Sequence, residues 1–315
     1  MTRPRDCCIY LPSLYNHHGT APNETPTPRL YIPITLSLGG LLVLASDNRP
    51  LAAEFTNASL NGTYAVFNIG RGGDSPQAGV SVARYDGRGP FSGVTIQDVP
   101  GPSFGERVFV RASFTGTYTI NPDAMGTGTI TTTLPDGSKE QVNTALVITK
   151  TTKGNEAEVA EEFSFMHEQV GPRIGTLETL TATRLPDGGK FTNGSLKGNY
   201  AYTLIGEGGS LPQSGLGVMT YDGVGSFSGT ATVNLPGTSF RERRFVTAPF
   251  VRPYAMNSDG TGTATPPGES DIVFVVTRAD VIGDTKLAKE VFFIVRELNP
   301  ATGTLLTGLI KKLPD

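Results

Sequence analysis

The chain is written twice. FTNASLNGTYA, beginning at Phe55, returns as FTNGSLKGNYA at Phe191, an offset of 136 positions. The same offset carries IGRGGDSPQAG at Ile69 onto IGEGGSLPQSG at Ile205, and YDGRGPFSG at Tyr85 onto YDGVGSFSG at Tyr221. It also carries PGPSFGERVFV at Pro100 onto PGTSFRERRFV at Pro236. Past Gly126 the second copy is shorter and the offset falls to 128, so that VITK ending at Lys150 aligns with VVTR ending at Arg278, and TRLPD ending at Asp187 with KKLPD ending at Asp315. Solenoid repeats run to about 20–50 residues, so a unit of this length is a domain. The expected organisation is a leader over 1–53, a first copy over 54–187 and a second over 191–315.

Each copy reads as short strands broken by turns. TYAVFNI, GVSVARY, FSGVTIQDV, RVFVRASF, GTYTI, GTITTTL, TALVITKT, EEFSFMHE and TLETLTATRL, eight or nine strands, are rich in Val, Ile, Thr, Phe and Tyr, and several alternate with period two. Asp86-Gly87, Pro100-Gly101, Asn121-Pro122-Asp123 and Pro135-Asp136-Gly137 punctuate them. With 39 Gly, 23 Pro and no long run of helical period, a helical fold is excluded. Eight antiparallel strands with short connections close into an up-and-down barrel, which removes exposed edges. The expected class is all-β: two tandem antiparallel eight-stranded β-barrels after a signal-like N-terminal segment. The competing arrangement is one outer-membrane barrel of some sixteen strands. Against it, the chain has no Trp for an interfacial girdle and ends in LPD rather than an aromatic residue.

Before the first copy, Arg29 precedes an apolar run from Leu30 to Ala45 (LYIPITLSLGGLLVLA), followed by small residues. That is the pattern of a secretory signal, with the mature chain starting between Ser46 and Glu54. The run is short against the ~20 residues of a membrane span and contains Pro33 and Gly39-Gly40. The expected product is secreted or periplasmic, with no stable membrane span after signal removal. Cys7 and Cys8 would leave with the leader, removing thiol chemistry. Lys and Arg number 26 against 29 Asp and Glu, a net charge of −3, which supplies no electrostatic reason for a nucleic-acid partner.

The GTYA opening at Gly62–Ala65, the YDGxG hairpins, GTYTINPDAMG at Gly116–Gly126 and the strand ending in TRLPD carry a resemblance. Through them the chain resembles bacterial exported proteins with an allene oxide cyclase-like (dirigent/lipocalin-type) barrel. The resemblance implies that a hydrophobic small molecule is bound or cyclised in the barrel interior without a cofactor. It departs from lipocalins in lacking their Gly-x-Trp opening, and a cyclase's catalytic residues do not map onto this chain.

Charges retained in both copies within apolar strands are the polar candidates. Glu106 and Glu242 sit in the repeated SFxERxFV segment, two residues after Phe104 and Phe240. Alternation puts Phe104, Glu106 and Val110 on one face and Arg107 and Phe109 on the other; if the first face lines the barrel, desolvation raises the carboxyl pKa and makes an acid or base. The competing reading has these carboxylates in solvent or paired across strands. Lys150/Arg278 and Glu162/Glu290 form a second retained set. Phe104, Phe240 and the tyrosine pairs Tyr64/Tyr200 and Tyr118/Tyr254 are candidate ligand-binding residues.

Other motifs point to turns. GPSFG at Gly101–Gly105 matches a nucleophile elbow, but that elbow needs a strand-to-helix turn, and the second copy reads GTSFR. The Asp-Gly segments lack the closing carboxylate of a calcium loop and suit tight hairpins. His17 and His18 lie in the leader and Val295 stands where His167 would repeat, so no histidine metal site is expected. Three functions survive: a binder of a hydrophobic small molecule, a structural module with filled barrels, and a cofactor-free cyclase or isomerase.

Overall fold

A computed structural model describes residues 55–73, 76–103, 105–153, 158–168, 176–238, 242–265, 270–297 and 302–314. The expected leader, its apolar run, both cysteines, Phe104 and Phe240 lie outside the described residues. Among the described residues the regular structure is strand, apart from short 3-10 turns at Asn57–Ser59 and Asn193–Ser195.

The first copy contributes β1 (Asn61–Arg71), β2 (Gln77–Asp86), β3 (Pro90–Pro100), β4 (Arg107–Ile120), β5 (Met125–Thr133), β6 (Lys139–Lys153), β7 (Glu158–Glu168) and β8 (Leu177–Arg184). Each pairs antiparallel with its sequence neighbour and β8 returns to β1, closing an eight-stranded barrel. Period-two alternation sorts the side chains: Tyr64, Val66 and Asn68 of β1 point in, while Ala65, Phe67 and Ile69 point out.

The second copy contributes β9 (Lys197–Glu207), β10 (Gln213–Asp222), β11 (Ser226–Pro236), β12 (Arg243–Pro253), β13 (Ala255–Met256), β14 (Thr261–Ala264), β15 (Ser270–Ile282), β16 (Thr285–Glu297) and β17 (Leu305–Lys312). It is all-β and antiparallel as expected, but it departs in closure: its nine strands form an open sheet with β12 at one edge and β13 at the other. The cause is the shortened segment. Where β5 runs from Met125 to Thr133, β14 spans only Thr261–Ala264, and among the described residues most of β12 has no strand on its outer side.

The edge carries its own adaptation. The Tyr254 amide donates to the Gly225 carbonyl, so even-numbered residues along this strand turn their backbone groups toward β11 and odd-numbered ones toward the gap. Pro249 and Pro253 fall at odd positions, where the closed barrel has Ser113 and Thr117 paired with Thr133 and Thr129. Proline has no N–H to leave unpaired and blocks strand addition, which suits it to an edge.

The second retained charge set also finds its explanation here. Both copies bulge at the same place, between Ile148 and Lys150 opposite Glu162 and between Val276 and Arg278 opposite Glu290. The skipped residue is a threonine in each case, and its hydroxyl donates to the facing glutamate: Thr149 to Glu162 at 3.2 Å and Thr277 to Glu290 at 3.1 Å. The bulge bends the strand, which helps to curl the sheet.

The two copies meet through strand faces. Ala65, Ala78, Val80 and Ile96, on the outside of β1–β3, join Val273, Val275, Phe292, Ile294 and Leu305 of the second copy in one apolar cluster. Phe67 stacks on Phe292 with ring centroids 4.4 Å apart. Beside them Asp98 pairs with Arg107 at 3.0 Å, both buried. Alternation held on this strand, since Arg107 and Phe109 face the junction, where the Arg296 guanidinium lies 4.9 Å from the Phe109 ring.

Candidate functional site

One end of the barrel is shut by its own aromatic residues. Tyr64 lies edge-on to Tyr85 at 5.3 Å and to Phe163 at 5.2 Å, and Tyr85 stacks on Phe91 at 4.8 Å. The Tyr64 hydroxyl donates to the Ala160 carbonyl at 2.8 Å and the Tyr118 hydroxyl to the Leu60 carbonyl at 2.9 Å. The second copy reproduces the arrangement: Tyr200 donates to Ala288 at 3.0 Å and Tyr254 to Leu196 at 3.1 Å. Burial raises the phenol pKa of Tyr64, and lifts those of Tyr118 and Tyr254 to about 12, so all three stay neutral donors. The tyrosine candidates Tyr64, Tyr118, Tyr200 and Tyr254 are therefore occupied in closing barrel ends.

The other end of the first barrel is hollow. A cavity of about 540 Å³ opens there, walled by Val99, Val110, Ala112, Ile130, Val142 and Leu134, with Asp136 and Glu140 at its rim. A smaller pocket of about 60 Å³ lies between it and the aromatic plug, lined by Val66, Phe114, Phe165 and Leu180. Thr95, Gln97 and His167 line both spaces, and Glu178 lines the larger.

These residues form a connected polar belt across the barrel. Asn68 Nδ2 donates to Gln97 Oε1 at 3.1 Å and, closely, to Glu178 Oε1. Gln97 Nε2 donates to Asn68 Oδ1 at 3.1 Å and to Thr95 Oγ1 at 2.7 Å. Glu178 Oε2 meets His167 Nδ1 at 3.1 Å. A carboxylate only accepts, so Nδ1 carries a proton in this contact. Nε2 is buried and has no hydrogen-bond partner among the described residues. Leaving such an atom unpaired costs about 1–3 kcal/mol, a cost that structures tolerate where the group has a use.

Gly79 makes room for the belt. A Cβ built there would lie 2.1 Å from Asn68 Oδ1 and 2.3 Å from Gln97 Nε2. At the equivalent Gly215 the nearest atoms are 3.6 Å away, an ordinary contact.

The second copy has no such belt. Asn68, Gln97, His167 and Glu178 become Leu204, Val233, Val295 and Leu306, and Thr95 becomes Ala231. The signal in the sequence was thus a divergence: polar residues at inward strand positions of one copy replaced by apolar residues in the other. A search for retained charges passes over it.

The retained glutamates sit elsewhere. Glu106 is exposed in the loop before β4, where the Gly101 amide donates to its carbonyl at 2.8 Å. Glu242 is exposed in the matching loop, and its carboxylate accepts from Thr238 Oγ1 at 2.6 Å. Neither residue is buried in the barrel, while Val110, on the face assigned to Glu106, does line the cavity. The aspartates of the Asp-Gly segments cap turns: Asp86 accepts from the Arg88 amide at 2.7 Å, and Asp222 from those of Val224, Gly225 and Ser226. Among the described residues no group of three or more His, Cys, Asp or Glu is placed to hold a metal ion.

No helix among the described residues is long and apolar enough to cross a membrane. No protein-family model matches the chain, and no curated protein matches it in sequence. Among solved structures, immune modulator A of Aeromonas veronii matches over 80% of this chain and 94% of its own, at 9% identity and a TM-score of 0.22. Similarity at that level bears on neither site nor activity.

Proposed function

We propose that the first barrel binds a hydrophobic small molecule and that the second copy is its structural support. The carrying observation is the cavity of about 540 Å³ with apolar walls and an ordered polar belt at its base. Ligand sites have this composition: mostly apolar lining, with a few polar groups fixed in orientation. The volume lies within the range of about 300–1,000 Å³ that accommodates drug-sized molecules. In the second copy the matching positions are apolar and, among the described residues, the sheet is open. Its contribution is the apolar face of β15–β17 that covers the outside of β1–β3. Interior binding also agrees with what the allene oxide cyclase-like resemblance implies, and an exported chain would meet its ligand outside the cytoplasm.

The test is saturation of the protein with a neutral apolar fluorophore such as N-phenyl-1-naphthylamine. One equivalent is expected to bind, and Ala112→Trp, which fills the cavity wall, is expected to abolish binding while the circular dichroism of the fold is retained. Undiminished binding to folded Ala112→Trp would place the site elsewhere and end the proposal.

A further inference from the structure

We infer that this chain associates head to tail with a second copy of itself, the outer face of β9–β12 of one chain docking on the outer face of β6–β8 of the next. The inference is independent of any ligand.

The template is the junction inside the chain. There the outside of β1–β4 in the first copy meets the outside of β15–β17 in the second, so two unlike faces of one repeated domain are joined. A contact between unlike faces leaves one of each kind unused. The unused faces keep the apolar residues of the used ones. Ile69, Val80, Val82 and Phe109 pack in or against the junction; they recur as Ile205, Leu216, Val218 and Phe245, all exposed, Phe245 by 77%. On the other side Val275, Ile294 and Leu305 recur as Val147, Met166 and Leu177, with Met166 55% and Leu177 70% exposed. Apolar side chains grouped on an exposed sheet face mark an interaction surface.

Residues that differ in concert on the two unused faces point to a second copy as the occupant. Where Phe67 stacks on Phe292 in the junction, the unused faces hold Thr203 and Ser164, small on both sides. Charge is exchanged in the same way. In the junction Arg296, held by Asp271, lies over the Phe109 ring near Asp98, which is paired with Arg107. On the unused β9–β12 face the acid is gone: Arg243 donates to the neutral Asn234 Oδ1 at 3.1 Å. On the unused β6–β8 face an acid has replaced the base: Glu168 stands where Arg296 would repeat, and accepts from the neutral Asn143 at 2.8 Å. Repeating the junction on these faces brings Glu168 over Phe245 beside Arg243, a complementary pair.

The experiment is sedimentation velocity of the full chain over about 1–100 μM, the range of a modest protein contact. Self-association rising with concentration is expected. Leu216→Asp and Met166→Asp, one on each face, are each expected to weaken it at least about tenfold, because each brings a charge into an apolar contact. Circular dichroism and urea unfolding of the dilute variants are expected to match wild type, which separates docking from folding. An equimolar mixture of the two variants is expected to recover a dimer, since it holds one intact face of each kind. Glu168→Arg is expected to weaken association, and adding Asn234→Asp to restore it by remaking the Asp98–Arg296 arrangement. A wild-type chain that stays monomeric overturns the proposal. So does a Met166→Asp chain that associates as tightly as wild type, which would mean that like faces pair, or a mixture that recovers nothing.

Discussion

The two copies share their closed end and differ at the open one. At the aromatic plug the hydroxyls of Tyr64 and Tyr200, and of Tyr118 and Tyr254, reach equivalent carbonyls in both copies. At the other end one copy has a closed wall, a polar belt and a cavity, while the other has an open edge and leucine and valine at the belt positions. The plug is what the fold needs for a core, so both copies keep it. The belt is a cost to folding, because it buries a carboxylate and an unpaired imidazole nitrogen, and only one copy carries it. Stability and function are thus separated along the barrel axis and between the copies.

The outer faces give the sharpest contrast. Val80 is fully buried against the second copy, while its counterpart Leu216 is 60% exposed. Val80→Asp is expected to cost about 3–5 kcal/mol in urea denaturation, as an unpaired buried charge does, and Leu216→Asp less than about 0.5 kcal/mol. Equal costs would mean that the copies do not pack through these faces.

A second contrast involves pH. Burial pushes the Asp98 carboxyl up to about 6, against the opposing pull of Arg107; its counterpart in the open copy is Asn234. An unfolded aspartate titrates near 3.9, so the folded state takes up this proton first as pH falls. The contribution of Asp98 to stability is therefore full below about pH 4 and is lost as pH rises through about 6. Between pH 7 and pH 4 the wild-type chain is expected to gain on the order of 1–3 kcal/mol relative to Asp98→Asn. A constant difference between the two unfolding free energies would contradict the shift.

Third, Gly79→Ala drives a methyl into the Asn68–Gln97 pair and is expected to cost about 1–2 kcal/mol and weaken fluorophore binding, whereas Gly215→Ala is expected to change stability by less than about 0.5 kcal/mol. The smallest effect concerns opening of the edge. Thr115 faces Thr131 across a paired ladder, and its counterpart Val251 faces the gap, 66% exposed. The Val251 amide is expected to exchange with solvent far faster than that of Thr115 in hydrogen-exchange NMR. Similar protection at both would show that β12 acquires a partner strand in solution.

The repeat, the strand class, the turn positions and the face assignment of Arg107 and Phe109 could be read directly, because they depend on local spacing and on the period of two. The shortened second copy was also visible as a fall in offset from 136 to 128, but its consequence was not. Closure depends on whether the last strand reaches the first, a property of the whole sheet. Glu106 and Glu242 stood out because they repeat, yet they occupy exposed loops before the strand begins. His167 and Glu178 did not stand out, because nothing in their neighbourhood announces that Asn68 and Gln97 arrive beside them from other strands.

Duplication, all-β character and the turn positions are legible in this amino-acid order alone, since none of them depends on how distant strands pair. Which copy closes, which outer face is covered and where a cavity remains were decided by tertiary structure. They turn on contacts between strands far apart in sequence, such as Asn68 with Glu178, and such contacts exist only once the sheet has curled.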